Sequence, residues 1–84
     1  MYRETIESFN CELPNMAKVG GYETGDNRGS EKVIIYRHKQ TGDLWVMANW
    51  ESFLGGGGFS YSRYDERQEK REIMKHYRDA LYKI

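Results

Sequence analysis

The sharpest hydrophobic patterning in the chain lies between Glu31 and Trp50. Val33, Ile34, Ile35 and Tyr36 form one group of strand formers, and Leu44, Trp45 and Val46 a second. Between them, Gln40-Thr41-Gly42 suits a three-residue hairpin loop with Gly42 in the left-handed position. That loop sets a register. Lys39 pairs with Asp43, His38 faces Leu44, Arg37 faces Trp45, Tyr36 faces Val46, Ile35 faces Met47 and Ile34 faces Ala48. Side chains alternate across a sheet, so one face then carries Ile34, Tyr36, His38, Leu44, Val46 and Ala48 and is the expected core face. The opposite face holds Val33, Ile35 and Met47 at one end and Arg37, Trp45, Lys39 and Asp43 near the turn.

A second pattern has helical period. A helix is expected from about Asp65 to Tyr82, where Ile73, Tyr77, Ala80 or Leu81, and Ile84 recur on one stripe, with Met74 alongside. Asp65 and Glu66 lie at the positive end of that helix's dipole and Lys83 at the negative end. Elsewhere the signal is weaker. Tyr2, Ile6 and Phe9 fit a short helix or an irregular arm. Pro14 marks a turn, residues 16–23 read as a short strand weakened by Gly20 and Gly21, and residues 24–30 as a polar loop. Asn49 can cap one helical turn that ends at the glycines. These elements predict an α+β single domain over residues 1–84. It would be a small twisted antiparallel sheet of three to five strands built on the hairpin, with a long C-terminal helix.

Composition narrows the functional classes. The chain has 84 residues, 13 basic and 13 acidic, so it lacks the net positive charge with which proteins grip a phosphate backbone. The balance runs from −2 over residues 1–30 (three basic, five acidic) to +2 over residues 59–84 (seven basic, five acidic). Cys11 is the only cysteine, which predicts a reducing, cytoplasmic setting without disulfides. No apolar run reaches the length of a membrane span. A domain this small is marginal alone, so a homo-oligomer is expected. Aromatic residues make up 14% of the chain, suiting interfaces and ligand pockets as well as cores.

The chemistry-bearing candidates are few. Cys11, His38 and His76 have no zinc-ligand spacing, and no nucleophile–base order stands out. No catalytic residue, metal or cofactor is therefore expected. Gly55–Gly58 lacks the following lysine and helix of a phosphate loop. Two readings stay open for it: a hinge or lid linker, which is favoured, and a ligand cradle. Phe59-Ser60-Tyr61-Ser62-Arg63-Tyr64 reads as an added strand with Phe59 and Tyr61 inward. In the functional reading its Tyr61, Arg63 and Tyr64 hold a planar ligand, because arginine forks and aromatic faces suit nucleotides. With Arg37 and Trp45 as one wall, and Gly57 and Gly58 closing, these seven residues form the candidate ligand site.

Residues 31–54 resemble a family of short bacterial and phage proteins of unknown function. The family has a strand ending in Val-Tyr-Arg, a glycine turn, then Leu-Trp-Val-Arg-Pro and Met-Phe. The matching residues are Ile35, Tyr36, Arg37, Gly42, Leu44, Trp45, Val46 and Phe53, with Met47 and Ala48 in place of Arg-Pro. The resemblance implies a small, strongly bent sheet and no chemistry. Two functions are carried forward. One is a non-enzymatic, phage-encoded protein that sequesters a small nucleotide-like ligand such as a host defence signal. The other is a protein–protein interaction module that inhibits or adapts a host protein.

Overall fold

The computed structural model describes residues 2–65. Strand β1 (Tyr2–Glu4) leads into helix α1 (Ile6–Glu12) and a 3₁₀ turn at Leu13–Asn15. Four strands follow: β2 (Met16–Asp26), β3 (Gly29–His38), β4 (Leu44–Ser52) and β5 (Gly57–Tyr64). They form one five-stranded sheet in the order β1-β5-β4-β3-β2, with every pair antiparallel.

The expected α+β class is corrected by this architecture. The described chain is an antiparallel sheet with a single seven-residue α-helix near its N-terminus. The expected C-terminal helix falls on residues 66–84 and lies outside the described residues, and Asp65 belongs to no helix or strand. Three local expectations also change. Residues 49–52 continue β4 as strand and do not form a helical turn. Residues 24–30 contribute to two strands, leaving only a tight turn in which Asp26 Oδ1 accepts from the Arg28 and Gly29 amides at 2.7 and 3.2 Å. Gly55 and Gly56, with φ near +93° and +94°, make the β4–β5 turn, and Gly57 and Gly58 are already strand. The glycine run is thus a hairpin corner within the sheet. Phe59 is exposed where inward packing was expected, and Tyr61 is half-buried.

The β3–β4 register differs from the expected one by a single residue, with large consequences. Arg37 pairs with Leu44, Tyr36 with Trp45, Ile35 with Val46, Ile34 with Met47 and Val33 with Ala48. A one-residue slip moves a strand's whole side-chain set to the other face. The cause is visible at the turn. The Lys39 amide donates to the Asn15 carbonyl at 2.8 Å, so it cannot close the hairpin against Asp43. His38 closes it instead: its amide donates to Asp43 O at 2.8 Å, and its carbonyl accepts from Gly42 at 2.9 Å. Gly42 takes the left-handed conformation, with φ 77°.

Both faces of the sheet bury apolar groups. On one, Val33, Ile35, Leu44, Val46 and Tyr64 are buried together, with Val19, Tyr22 and Ala48 packed around them. On the other, Phe9 from α1 packs with Met16 and Trp45, flanked by Tyr36, Met47 and Tyr61. Thr5 starts α1, its hydroxyl accepting from the Ser8 amide at 3.1 Å and satisfying one free N–H of the first turn.

Candidate functional site

The seven candidate ligand residues fall into three places. Trp45, Tyr61 and Arg63 share the face covered by α1, with Trp45 directly opposite Arg63 on β4 and β5. Arg37 and Tyr64 flank Leu44 on the opposite face, where Tyr64 is part of the buried core and Arg37 is exposed. The expected Arg37–Trp45 neighbourhood is thereby corrected, and Tyr36 takes the place beside Trp45. Gly57 and Gly58 sit opposite Glu51 and Trp50 near the hairpin corner. At roughly 3.3 Å per residue, Gly58 is about 16 Å along β5 from Arg63.

Around Arg63 the structure builds a closed ion network. Its Nε donates to Glu4 Oε1 at 3.0 Å and its Nη1 to Asp43 Oδ2 at 3.1 Å. Its guanidinium carbon lies 4.5 Å from the centre of the Tyr2 ring. Glu4 also accepts from the Ser8 hydroxyl at 2.8 Å, tying β1 to α1. The bond to Glu4, with Asp43 adding to it, raises the Arg63 pKa against the opposing effect of burial. A raised cationic pKa gives stability that is complete below the ordinary value and is lost only in strong alkali. Sequence reasoning missed both carboxylates, because Glu4 is 59 positions from Arg63 and meets it only through β1–β5 pairing.

His38 is a second anchor, buried beneath the β3–β4 turn. Its Nδ1 accepts from the Gln40 and Thr41 amides at 3.2 and 3.3 Å. Those partners assign the ring hydrogen to Nε2, which donates to Glu12 Oε2 at 2.5 Å. The histidine therefore pins the turn with one nitrogen and the end of α1 with the other.

An open cavity of about 360 Å³ lies between these anchors, with Glu4, Glu12, His38, Asp43, Trp45 and Arg63 on its walls. Trp45 Nε1 is the one buried side-chain polar atom without a hydrogen-bond partner among the described residues. Three carboxylates face one guanidinium here, and the guanidinium is already engaged by two of them. A phosphate would have to displace a carboxylate and then face the others, so the local field opposes an anionic ligand. Among the described residues no group of three or more His, Cys, Asp or Glu side chains converges as a metal site, and no helix is long and apolar enough to cross a membrane.

The other end of the sheet has the opposite character. Trp50, Phe53, Leu54 and Phe59 expose 52, 78, 92 and 63% of their surface around the β4–β5 corner. The corner is anchored. The Ser52 amide donates to Gly56 O at 2.9 Å, and the Phe53 amide donates to Arg28 O at 2.8 Å, joining the β2–β3 and β4–β5 turns. The Trp50 indole lies over Gly58, within 3.3 to 3.5 Å of where a Cβ would stand. Between the two turns is a shallow cavity of about 380 Å³ bordered by Asp26, Arg28, Trp50 and Glu51. Nothing among known protein families, curated proteins or solved structures matches the chain.

Proposed function

We propose that this chain is a non-enzymatic interaction module that grips a partner protein through the β4–β5 end of its sheet. The supporting observation is that four large apolar side chains are exposed around one anchored hairpin corner, Trp50 on one face of the sheet, Phe59 on the other, and Phe53 and Leu54 in the turn between them. Exposed apolar surface rimmed by polar groups marks interaction sites, and buried aromatic anchors dominate binding energy at such interfaces. Asp26, Arg28 and Glu51 supply the polar rim. This reading is preferred to nucleotide sequestration because the candidate tryptophan–arginine pair, Trp45 and Arg63, stands in an acidic network under α1.

The resemblance of residues 31–54 to bacterial and phage proteins makes a bacterial lysate the starting material. A Phe53→Ser/Leu54→Ser double variant is expected to fold as the parent does, since both side chains stand in solvent. The parent chain should retain one stoichiometric protein, and the variant should lose at least about tenfold in affinity for it. Equal retention by parent and variant, or retention of no protein by the parent, contradicts the reading.

A further inference from the structure

The partner's mode of contact is written in the main chain of β5. Strand β1 pairs with β5 only at Tyr61, Ser62 and Arg63, after which the chain turns away at Thr5 into α1. The remaining stretch, Gly57 to Ser60, has β4 on one side and no strand on the other among the described residues. The alternation of hydrogen-bonded pairs identifies which groups face outward. The His38–Asp43 bond and the Ser52–Gly56 bond fix the same phase along β4. Even-numbered residues of β4 bond to β5, so Gly58 and Ser60 bond inward to Trp50 and Ala48. The N–H and C=O groups of Gly57 and Phe59 consequently point to the open edge, in line with the Tyr61 and Arg63 groups that receive β1.

Among the described residues only its four-residue length guards this edge. Natural sheets protect free edges with charge, proline, bulges, extreme shortness or a covering helix or loop. The other strand edges of this sheet follow that rule: β1 is three residues long and carries Arg3 and Glu4, and β2 carries Lys18 and Glu23 and has a bulge between Lys18 and Gly20. Residues 57–60 are Gly-Gly-Phe-Ser, uncharged, with Gly57, Phe59 and Ser60 exposed. Beside it, a cavity of about 340 Å³ is bordered by Arg3 and Glu4 of β1 and by Phe59, Ser60, Tyr61, Ser62 and Tyr64 of β5.

Resting on the interaction reading above and specifying its chemistry, we infer that the partner docks as an extended segment that adds a strand to β5 at Gly57–Ser60. The outward groups of Gly57 and Phe59, which meet no strand among the described residues, call for another peptide backbone, which is the chemistry of strand addition. The absence of charge over these four residues calls for an uncharged segment. Alternate side chains of that segment would lie beside the exposed Phe59 ring on one face and beside Ser60 on the other.

A displayed library of random uncharged peptides, selected on the full chain, tests this. Proline is tolerated on an edge where its missing N–H would face solvent, so Phe59→Pro removes an outward donor and leaves the inward bonds of Gly58 and Ser60 intact. Gly57 cannot serve, because any Cβ there would stand 2.7 Å from the Trp50 carbonyl oxygen. Selected peptides should bind Phe59→Ala far better than Phe59→Pro, with a loss of at least about tenfold in the latter. In the unaltered chain, bound peptide should slow hydrogen exchange at the Gly57 and Phe59 amides, a readout independent of any variant. Equal binding to both variants, no enriched peptide, or no protection at those two amides overturns the inference. Peptides that bind Phe59→Pro and are lost with Phe53→Ser/Leu54→Ser overturn it while leaving the interaction reading intact. Edge binding with no partner retained from lysate does the reverse. Self-association abolished by Phe59→Pro, with no peptide enriched, would overturn the inference by making a second copy the occupant.

Discussion

Replacing Phe9 with alanine is expected to cost about 3–4 kcal/mol and to release α1 from the sheet. Phe9 is the only buried residue of a seven-residue helix, and a helix that short has no stability of its own. Its ring meets Tyr61 at 4.9 Å, Tyr36 at 5.6 Å and Trp45 at 6.3 Å between centroids. Truncation therefore opens a cavity among three aromatics and uncovers Trp45. Urea unfolding should show the loss in midpoint, and tryptophan emission should shift to the red as Trp45 meets water. Trp50 is already half in solvent and supplies a constant background. Phe9→Leu, which keeps most of the volume, should cost under about 1.5 kcal/mol. A loss below about 1 kcal/mol for the alanine variant would mean that α1 is held by other contacts.

The second large effect is expected at Gly29, where β3 begins beside the end of β4. A Cβ there would stand 2.1 Å from the Glu51 carbonyl oxygen and 3.2 Å from Ser52 Cα. Both obstacles are backbone, so no side-chain rotation relieves them, and the φ of +157° is itself rare for a residue with a side chain. Gly29→Ala should destabilise by about 3 kcal/mol and pull the two turns apart, breaking the Phe53–Arg28 bond. Gly25→Ala is the matched control. Its Cβ would meet Ser30 at 3.6 Å, an ordinary contact, and its cost should stay within about 1 kcal/mol. Equal thermal shifts for the two variants would show that the turns do not approach so closely.

Local chemistry was readable in the sequence wherever one stretch decided the outcome. The two strand-forming groups at Val33–Tyr36 and Leu44–Val46, the left-handed Gly42 and the strand at Phe59–Tyr64 all follow from residue type and spacing. What escaped depended on distant parts of the chain. The one-residue slip in the hairpin arises because Asn15, in the 3₁₀ turn, takes the Lys39 amide, and nothing between residues 31 and 49 encodes that competition. The slip alone separates Arg37 from Trp45 and dissolves the expected binding wall. The glycine run was misleading for a similar reason. Gly55 and Gly56 are required by a corner, while Gly58 lies where the Trp50 indole crosses from the neighbouring strand. Strand β2 also runs through Gly20 and Gly21 because pairing with β3 outweighs their weak intrinsic preference for strand.

These corrections move the centre of functional interest from Arg37 and Trp45 to the far end of the same strands. There, pairing leaves apolar side chains and outward main-chain groups together at one corner. At the Trp45 end the polar groups are consumed by one another: Arg63 by Glu4 and Asp43, and His38 by Glu12 and the turn amides. The first end pairs its charged groups internally and leaves Trp45 Nε1 without a partner among the described residues, and the second exposes apolar side chains.

The most direct measurement of the central claim is site-specific photo-crosslinking in bacterial lysate, with a photoreactive phenylalanine analogue placed singly at positions 54, 59 and 39. Leu54 and Phe59 belong to the proposed contact end, and Lys39 is an exposed residue of the β3–β4 turn at the other end of the sheet. One discrete adduct of the same mass at positions 54 and 59, absent at position 39, is the predicted result. Equal yields at all three positions, or an adduct at position 39 alone, would contradict it.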